Sequence, residues 1–308
     1  MITQNIVVGE GSKFPLKGML TLPDDLTKPV PAVVFVHGSG SSNMDEKVYK
    51  LTPFRDLAEG LARHGIASVR YDKRSFAHAM KMLRSGTITV QEETIEDAVL
   101  ASEMLKNHPN IDPEKVFIIG HSMGGMLAPR IDAEGGNFHG LILLAGSPRK
   151  LEDIMLYQTR EMIPLSGKLT RFILEKQIKT LEASFQGLYD LTDEEAKAKK
   201  MGGGTTLYYF KEMGEHPVED YLKQLTKPVL VMQGGKDFQV KADVDFTAYK
   251  ELLADHPDAA FRLYENLNHC FVPSVYGRID KVKQEYSVEQ HIGDNVISDI
   301  ADWIHDHC

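Results

Sequence analysis

The sequence predicts an α/β protein built on a mostly parallel, doubly wound sheet of about eight strands. Three observations carry this. Short apolar runs rich in Val and Ile alternate with stretches of helical period through most of the chain. One run, Val116-Phe117-Ile118-Ile119, stops at Gly120 and passes through His121-Ser122-Met123-Gly124-Gly125 into a helix-compatible segment, a strand–turn–helix junction. Between about residues 146 and 226 the rhythm breaks, helical patterns stand alone, and the alternation then resumes.

Residues 2–8 and 16–22 read as an opening antiparallel pair joined by the turn-rich Gly9-Glu10-Gly11-Ser12. The run 31–36 is continuously apolar, as a strand buried on both faces requires. Residues 54–64 have helical spacing (Leu57, Leu61) closed by Gly65, and 66–71 is the next strand. Residues 94–107 form an amphipathic helix, 115–119 the strand into the glycine junction, and 141–144 another strand. Helical patterns over 151–162 and 169–189, a charged stretch 193–200 and Gly202-Gly203-Gly204 then follow. This interval reads as a helical insertion: a core of 1–146 and 227–308 carries a cap of 147–226. Strands at 228–232 and 260–264 flank a helix containing 248–253, and 296–305, with Trp303, closes the chain as an amphipathic helix.

The 308 residues, 42% hydrophobic and 26% charged, describe an ordinary globular protein with a large core. Thirty-five basic against 44 acidic residues give a net charge of -9 with no basic block, which disfavours nucleic acid and anionic membrane surfaces as partners. No apolar run approaches the ~20 residues of a membrane span, and residues 1–5 lack a charged, then apolar, leader pattern. Two cysteines, Cys270 and Cys308, make neither a disulfide framework nor a zinc site, so a cytoplasmic location and no metal are expected. Cys270 reads as a buried small hydrophobe.

The chemistry centres on Gly120-x-Ser122-x-Gly124. A serine there sits on a tight turn, lifted above the sheet edge, with the first N–H groups of the following helix beside it. A serine hydroxyl is a weak nucleophile and needs a base held by an orienting acid. Both belong in loops at the carboxyl ends of later strands. Asp237 follows the strand at 228–232 through Gln233-Gly234-Gly235-Lys236, and His269 follows the strand at 260–264 through Glu265-Asn266-Leu267-Asn268. His121 is too close to Ser122 to double back as base, His37 reads as packed and structural, and Asp243 and Asp245 lie too deep in the next helix to be the preferred acid. An oxyanion requires two N–H donors: Met123, directly after the nucleophile, and Ser39, in His37-Gly38-Ser39-Gly40. The insertion supplies an aromatic cluster, Tyr208-Tyr209-Phe210, in a segment without clear periodicity, expected to wall the acyl pocket with the triglycine as a hinge.

His37-Gly38-Ser39-Gly40, Tyr71-Asp72-Lys73-Arg74, the glycine–serine junction, Gly234-Gly235-Lys236-Asp237 and Leu267-Asn268-His269 together resemble the α/β-hydrolase superfamily. More narrowly, they are similar to bacterial carboxylesterases with a helical cap after the sixth strand. The resemblance implies a Ser122–His269–Asp237 triad, an oxyanion hole from Ser39 and Met123, and cofactor-free hydrolysis of small-molecule esters of short to medium acyl chain. Peptidase, amidase, thioesterase or lactonase activity with the same triad, and a catalytically silent binding protein, remain the alternatives. Asp72, Lys73 and Arg74 read as an ion-pair cluster bracing the oxyanion loop rather than as a site for an acidic substrate. The oligomeric state stays open, a homodimer being one option.

Overall fold

The computed structural model describes residues 1–84, 88–201 and 205–308. Eight strands, β1 (Ile2–Val8), β2 (Leu16–Leu22), β3 (Val30–Val36), β4 (Ala67–Tyr71), β5 (Ile111–His121), β6 (Leu141–Leu144), β7 (Val229–Gly234) and β8 (Ala259–Tyr264), form one sheet. Their spatial order is β1-β2-β4-β3-β5-β6-β7-β8. β1 pairs β2 and β2 pairs β4 antiparallel, while every other neighbour is parallel. β5 begins at Ile111, four residues before the sequence reading, because Ile111 pairs Val30 ahead of a register shift that leaves Asp112-Pro113-Glu114 without β3 partners. β7 and β8 differ from the sequence reading only by a residue or two at their ends.

The central strands lie between two apolar layers, and alternation assigns each side chain to one of them. Val34, Val36, Ile118 and Val231 face one core; Val33, Phe35, Ile119 and Met232 face the other. Over the first layer lie the helices Glu96–Lys106 and Met123–Ile131; over the second lie Pro53–Arg63 and Asp294–Asp306, where Trp303 packs edge-on to Phe117. Each fully buried Val, Ile or Phe contributes roughly 1.5–3 kcal/mol relative to exposure, so this sandwich fixes the sheet and with it the position of every loop at the strands' carboxyl edge.

Among the described residues between β6 and β7 no strand forms, and the chain makes helices, chiefly Leu151–Leu165, Lys168–Phe185, Leu207–Glu215 and Val218–Gln224. Tyr208, Tyr209 and Phe210 lie within Leu207–Glu215, correcting the aperiodic reading of that stretch. Leu207, Tyr209, Phe210 and Met213 turn inward at helical spacing, while Lys211 and Glu212, buried as ion-pair partners, blur the pattern. The triglycine expected to act as a hinge lies outside the described residues. Two short helices after β4, Arg74–Ala77 and Ala79–Arg84, also escape the sequence reading. Among the described residues no helix is long and apolar enough to cross a membrane.

Candidate active site

The loops after β3, β5, β7 and β8 meet at one edge of the sheet, the carboxyl edge where open α/β sheets build sites. Ser122 sits between β5 and the helix Met123–Ile131 with φ 54° and ψ -117°, outside the conformations an L residue prefers. The strain is held by close packing that only glycine permits on either side. A Cβ on Gly120 would stand 2.1 Å from the Gly124 carbonyl oxygen, and one on Gly124 would stand 2.2 Å from the Val36 carbonyl oxygen. Ser122 N–H donates to Leu144 O at 2.8 Å, tying the turn to β6. Met123 is the first residue of its helix, so its N–H has no intrahelical acceptor and adds to the positive end of the helix dipole.

Asp237 and His269 are brought together: His269 Nδ1 lies 2.6 Å from Asp237 Oδ2, with both side chains buried. The carboxylate is fixed by three further donors. Gln239 and Val240 N–H groups reach Oδ1 at 2.7 and 2.9 Å, and Gln233 Nε2 reaches Oδ2 at 2.9 Å. Since every other neighbour donates, the Asp237 oxygens act as acceptors, and His269 must present Nδ1–H to them. That leaves Nε2 of His269 as the basic nitrogen. The His269 ring lies 4.7 Å from the ring of His121, the residue preceding Ser122.

The loop after β3 packs directly on the Ser122 turn, for a Cβ on Gly38 would lie 3.0 Å from Ser122 Cβ. Ser39 lines the same cavity as Ser122, and among the described residues no acceptor takes its N–H. Buried charges hold this loop. Glu46 Oε1 accepts the Gly38 N–H at 2.8 Å, and Lys73 Nζ donates to Gly38 O at 2.8 Å. The Lys73 N–H reaches Ser42 O at 3.0 Å, and Asp72 Oδ1 accepts the Met44 N–H at 2.9 Å. The bracing read from Asp72-Lys73 is therefore present. Arg74 instead pairs with Asp97 and Glu96.

His121, set aside as a base from sequence, has a bridging position that the sequence did not disclose. Its Nε2 donates to His269 O at 2.9 Å and its Nδ1 lies 2.8 Å from Glu46 Oε2. Burial pushes this imidazole down, but the facing Glu46 carboxylate draws it up, and the balance is upward. Burial pushes Glu46 up, and the His121 and His37 rings with the Gly38 N–H more than reverse it. Cys270 is buried, and burial raises its thiol, in keeping with an inert small hydrophobe.

His37 opens the loop, packed on Phe54 and Tyr71 with Nε2 at 3.0 Å from Asn43 O. Burial is the main cause that brings it down from 6.5 to about 4. A lowered histidine contributes stability above its unfolded value, and that stability is lost as pH falls through its folded value. Between pH 6.5 and about 4 the unfolded chain therefore binds a proton that the native chain refuses, a difference of about 3 kcal/mol. Urea unfolding should show stability falling across this window, and His37→Gln, which keeps a group near Asn43 O, should flatten the fall. Equal pH slopes in the two proteins would refute the assignment.

Ser122 opens onto a cavity of about 540 Å³. Its walls are largely apolar: Met82, Ile88 and Met126 from the core, Leu151, Ile154, Met155 and Phe210 from the inserted helices. Tyr209 lines it, with its hydroxyl donating to Glu93 Oε2 at 2.8 Å. Tyr208 does not; it lies on the far side of the helix turn with the Lys197 ammonium 4.6 Å from its ring centre. Among the described residues no group of side chains could hold a metal ion.

Eight strands in this order, with a serine at a strained strand–helix turn and an Asp–His pair on the next strand ends, define an α/β-hydrolase fold. The match of the serine aminopeptidase S33 family over residues 27–272 shows that the chain belongs to that family. It is 32% identical over 289 residues to the esterase EstD of Thermotoga maritima, covering 94% of this chain but 65% of that protein. In structure it is similar to Est1E from Butyrivibrio proteoclasticus (TM-score 0.57, 15% identity, 98% of each chain). It is also similar to the Pyrococcus furiosus esterase Pf2001 (TM-score 0.59, 15% identity, 99% of this chain and 91% of that one).

Proposed function

We propose that the protein is a carboxylesterase that cleaves esters of short to medium acyl chain through an acyl-enzyme intermediate. Ser122 Oγ attacks the ester carbonyl as His269 Nε2 takes its proton, and Asp237 holds the resulting imidazolium. The tetrahedral oxyanion is received by the N–H groups of Ser39 and Met123, each typically worth ~3–4 kcal/mol of barrier. The alcohol leaves with the proton from His269, and water then releases the acid by the same route. The observation that carries this reading is the 2.6 Å His269–Asp237 pair, packed on His121, together with a strained serine directly after His121 that opens onto a mostly apolar cavity. The 32% identity to EstD supports the ester as substrate class.

The inserted helices act in this reading as a cap whose Leu151, Ile154, Met155, Tyr209 and Phe210 shape the acyl pocket. Turnover of p-nitrophenyl esters from acetate to dodecanoate should peak before dodecanoate, and Tyr209→Ala should shift that preference. A peak at dodecanoate would overturn the chain-length reading. Peptide hydrolysis is the second reading, favoured by the family's aminopeptidase description. A substrate α-ammonium would need a free carboxylate. Glu93 is the only acidic side chain among the described residues of the cavity wall, and it is engaged by Lys73 and Tyr209. Turnover of aminoacyl anilides without turnover of esters would reverse this choice.

A further inference from the structure

Lys73 is buried to the tip of its side chain, with a relative exposure of 2%. Its ammonium does not face a lone carboxylate in a closed pair. It donates to Gly38 O at 2.8 Å and stands 3.5 Å from Glu93 Oε1. The Gly38 carbonyl belongs to the same peptide unit as the Ser39 N–H. In a trans peptide the C=O and N–H point in opposite directions, and no cis bond occurs among the described residues. Whatever grips Gly38 O on one side therefore aims the Ser39 N–H out of the other side. A cation on the carbonyl also withdraws charge through the amide and makes that N–H a stronger donor, an effect enlarged where water is excluded. Glu46 holds the preceding Gly38 N–H at 2.8 Å, so both backbone groups of Gly38 are gripped by buried charges of opposite sign.

The chain of contacts continues outward. Glu93 places one oxygen toward Lys73 and accepts the Tyr209 hydroxyl on the other at 2.8 Å. Tyr209 belongs to the inserted helix Leu207–Glu215, lines the cavity, and brings its hydroxyl to 3.7 Å from Met123 Sδ. We propose that Lys73 is a positioning residue that orients and polarises the Ser39 peptide as an oxyanion donor, and that Glu93 and Tyr209 tie this setting to the helices walling the substrate cavity. The inference rests on the reading of Ser122 as nucleophile and the Ser39 N–H as donor. The tie has a defined direction. Without the Tyr209 hydroxyl, Glu93 loses a donor, its charge falls more fully on Lys73, and the ammonium is drawn off Gly38 O.

The test compares wild type, Lys73→Met, Tyr209→Phe and the double variant. Kinetics use p-nitrophenyl acetate, and a trifluoromethyl ketone carrying ¹³C at its carbonyl reports the oxyanion directly. Attack of Ser122 on the ketone gives a hemiketal whose hydroxyl pKa, read from the ¹³C shift against pH, measures how well the site holds an oxyanion. Lys73→Met is expected to lower kcat roughly 10–100-fold with KM within about threefold, and to raise the hemiketal pKa by about one unit or more. Tyr209→Phe should do the same more weakly, roughly 3–10-fold in kcat, and the double variant should fall short of the product of the two effects. A hemiketal pKa unchanged by Lys73→Met overturns the positioning role, even if the variant is less stable. Additive effects overturn the tie to the inserted helices. Should Lys73→Met fail to accumulate as folded protein, Tyr209→Phe alone decides, and an unchanged hemiketal pKa there counts against the proposal. If wild type forms no hemiketal, or Ser122→Ala retains turnover, the acyl-transfer reading itself fails, an outcome distinct from failure of Lys73's role.

Discussion

Ser122→Ala is expected to cut ester turnover by roughly 10⁵–10⁶-fold while leaving the protein folded. The stability expectation follows from the turn: alanine meets the positive φ of 54° with the same single Cβ as serine, and the Ser122 N–H bond to Leu144 O is a backbone bond that survives. The unfolding midpoint should therefore move by no more than about 1 kcal/mol equivalent. Asp237→Asn is expected to cost about 10⁴-fold through the tautomer of His269. All four neighbours of the Asp237 carboxylate donate: two N–H groups at Oδ1, and Gln233 Nε2 and His269 Nδ1 at Oδ2. An asparagine can keep its oxygen toward the two backbone N–H groups only by turning its NH₂ toward His269. The imidazole then accepts at Nδ1, carries its proton on Nε2, and can no longer take one from Ser122. Active-site titration with an organophosphonate beside steady-state rates would separate lost chemistry from lost protein. Turnover above about a hundredth of wild type in well-folded Ser122→Ala would remove the serine from the mechanism.

The parts of this molecule that were legible in sequence share a physical cause. Strands buried on both faces must be apolar along their whole length, so 31–36, 141–144 and 228–232 announced β3, β6 and β7 almost to the residue. The glycines flanking Ser122 were legible because a close backbone approach leaves no alternative residue, as the 2.1 and 2.2 Å distances at Gly120 and Gly124 make plain. Asp237 and His269 could be read because strand ends locate loops, and the structure joins the two at 2.6 Å.

What was not legible depends on segments that meet only in three dimensions. Glu93 lies just ahead of the amphipathic pattern at 94–107, where no sequence signal singles it out, yet it faces Tyr209, 116 residues later. Tyr208 and Tyr209 are chemically identical neighbours, and only the helix phase sends one to the cavity and the other to Lys197. Asp245, considered as a fallback acid, is fully buried and committed to Ser147 and Arg149, where it pins the start of the inserted helices to the segment after β7. The Asp245 pairing satisfies a fully buried carboxylate, and Glu93 faces the buried Lys73 ammonium, constraints that composition and periodicity do not register.

Gly124→Ala is, with Gly120→Ala, among the substitutions expected to damage the fold most per atom added. The new methyl would stand 2.2 Å from Val36 O and 2.8 Å from both Val36 C and His37 O, all of it backbone at the end of β3. No rotamer change relieves a clash with backbone, so either the helix Met123–Ile131 must lift off the sheet or β3 must retreat. Retreat of β3 would drag the His37–Gly38–Ser39 loop away from Ser122, since Gly38 and Ser122 are themselves in contact. The expected cost is about 3 kcal/mol or more, at the upper end for overpacking because neither wall is a side chain. Gly167→Ala serves as the comparison, for a Cβ there meets nothing within 4 Å and its φ is -65°. That variant should stay within about 1 kcal/mol of wild type. Urea unfolding of the two variants side by side reads the difference, and a Gly124→Ala protein as stable as Gly167→Ala would mean that the packing behind Ser122 yields where these distances say it cannot.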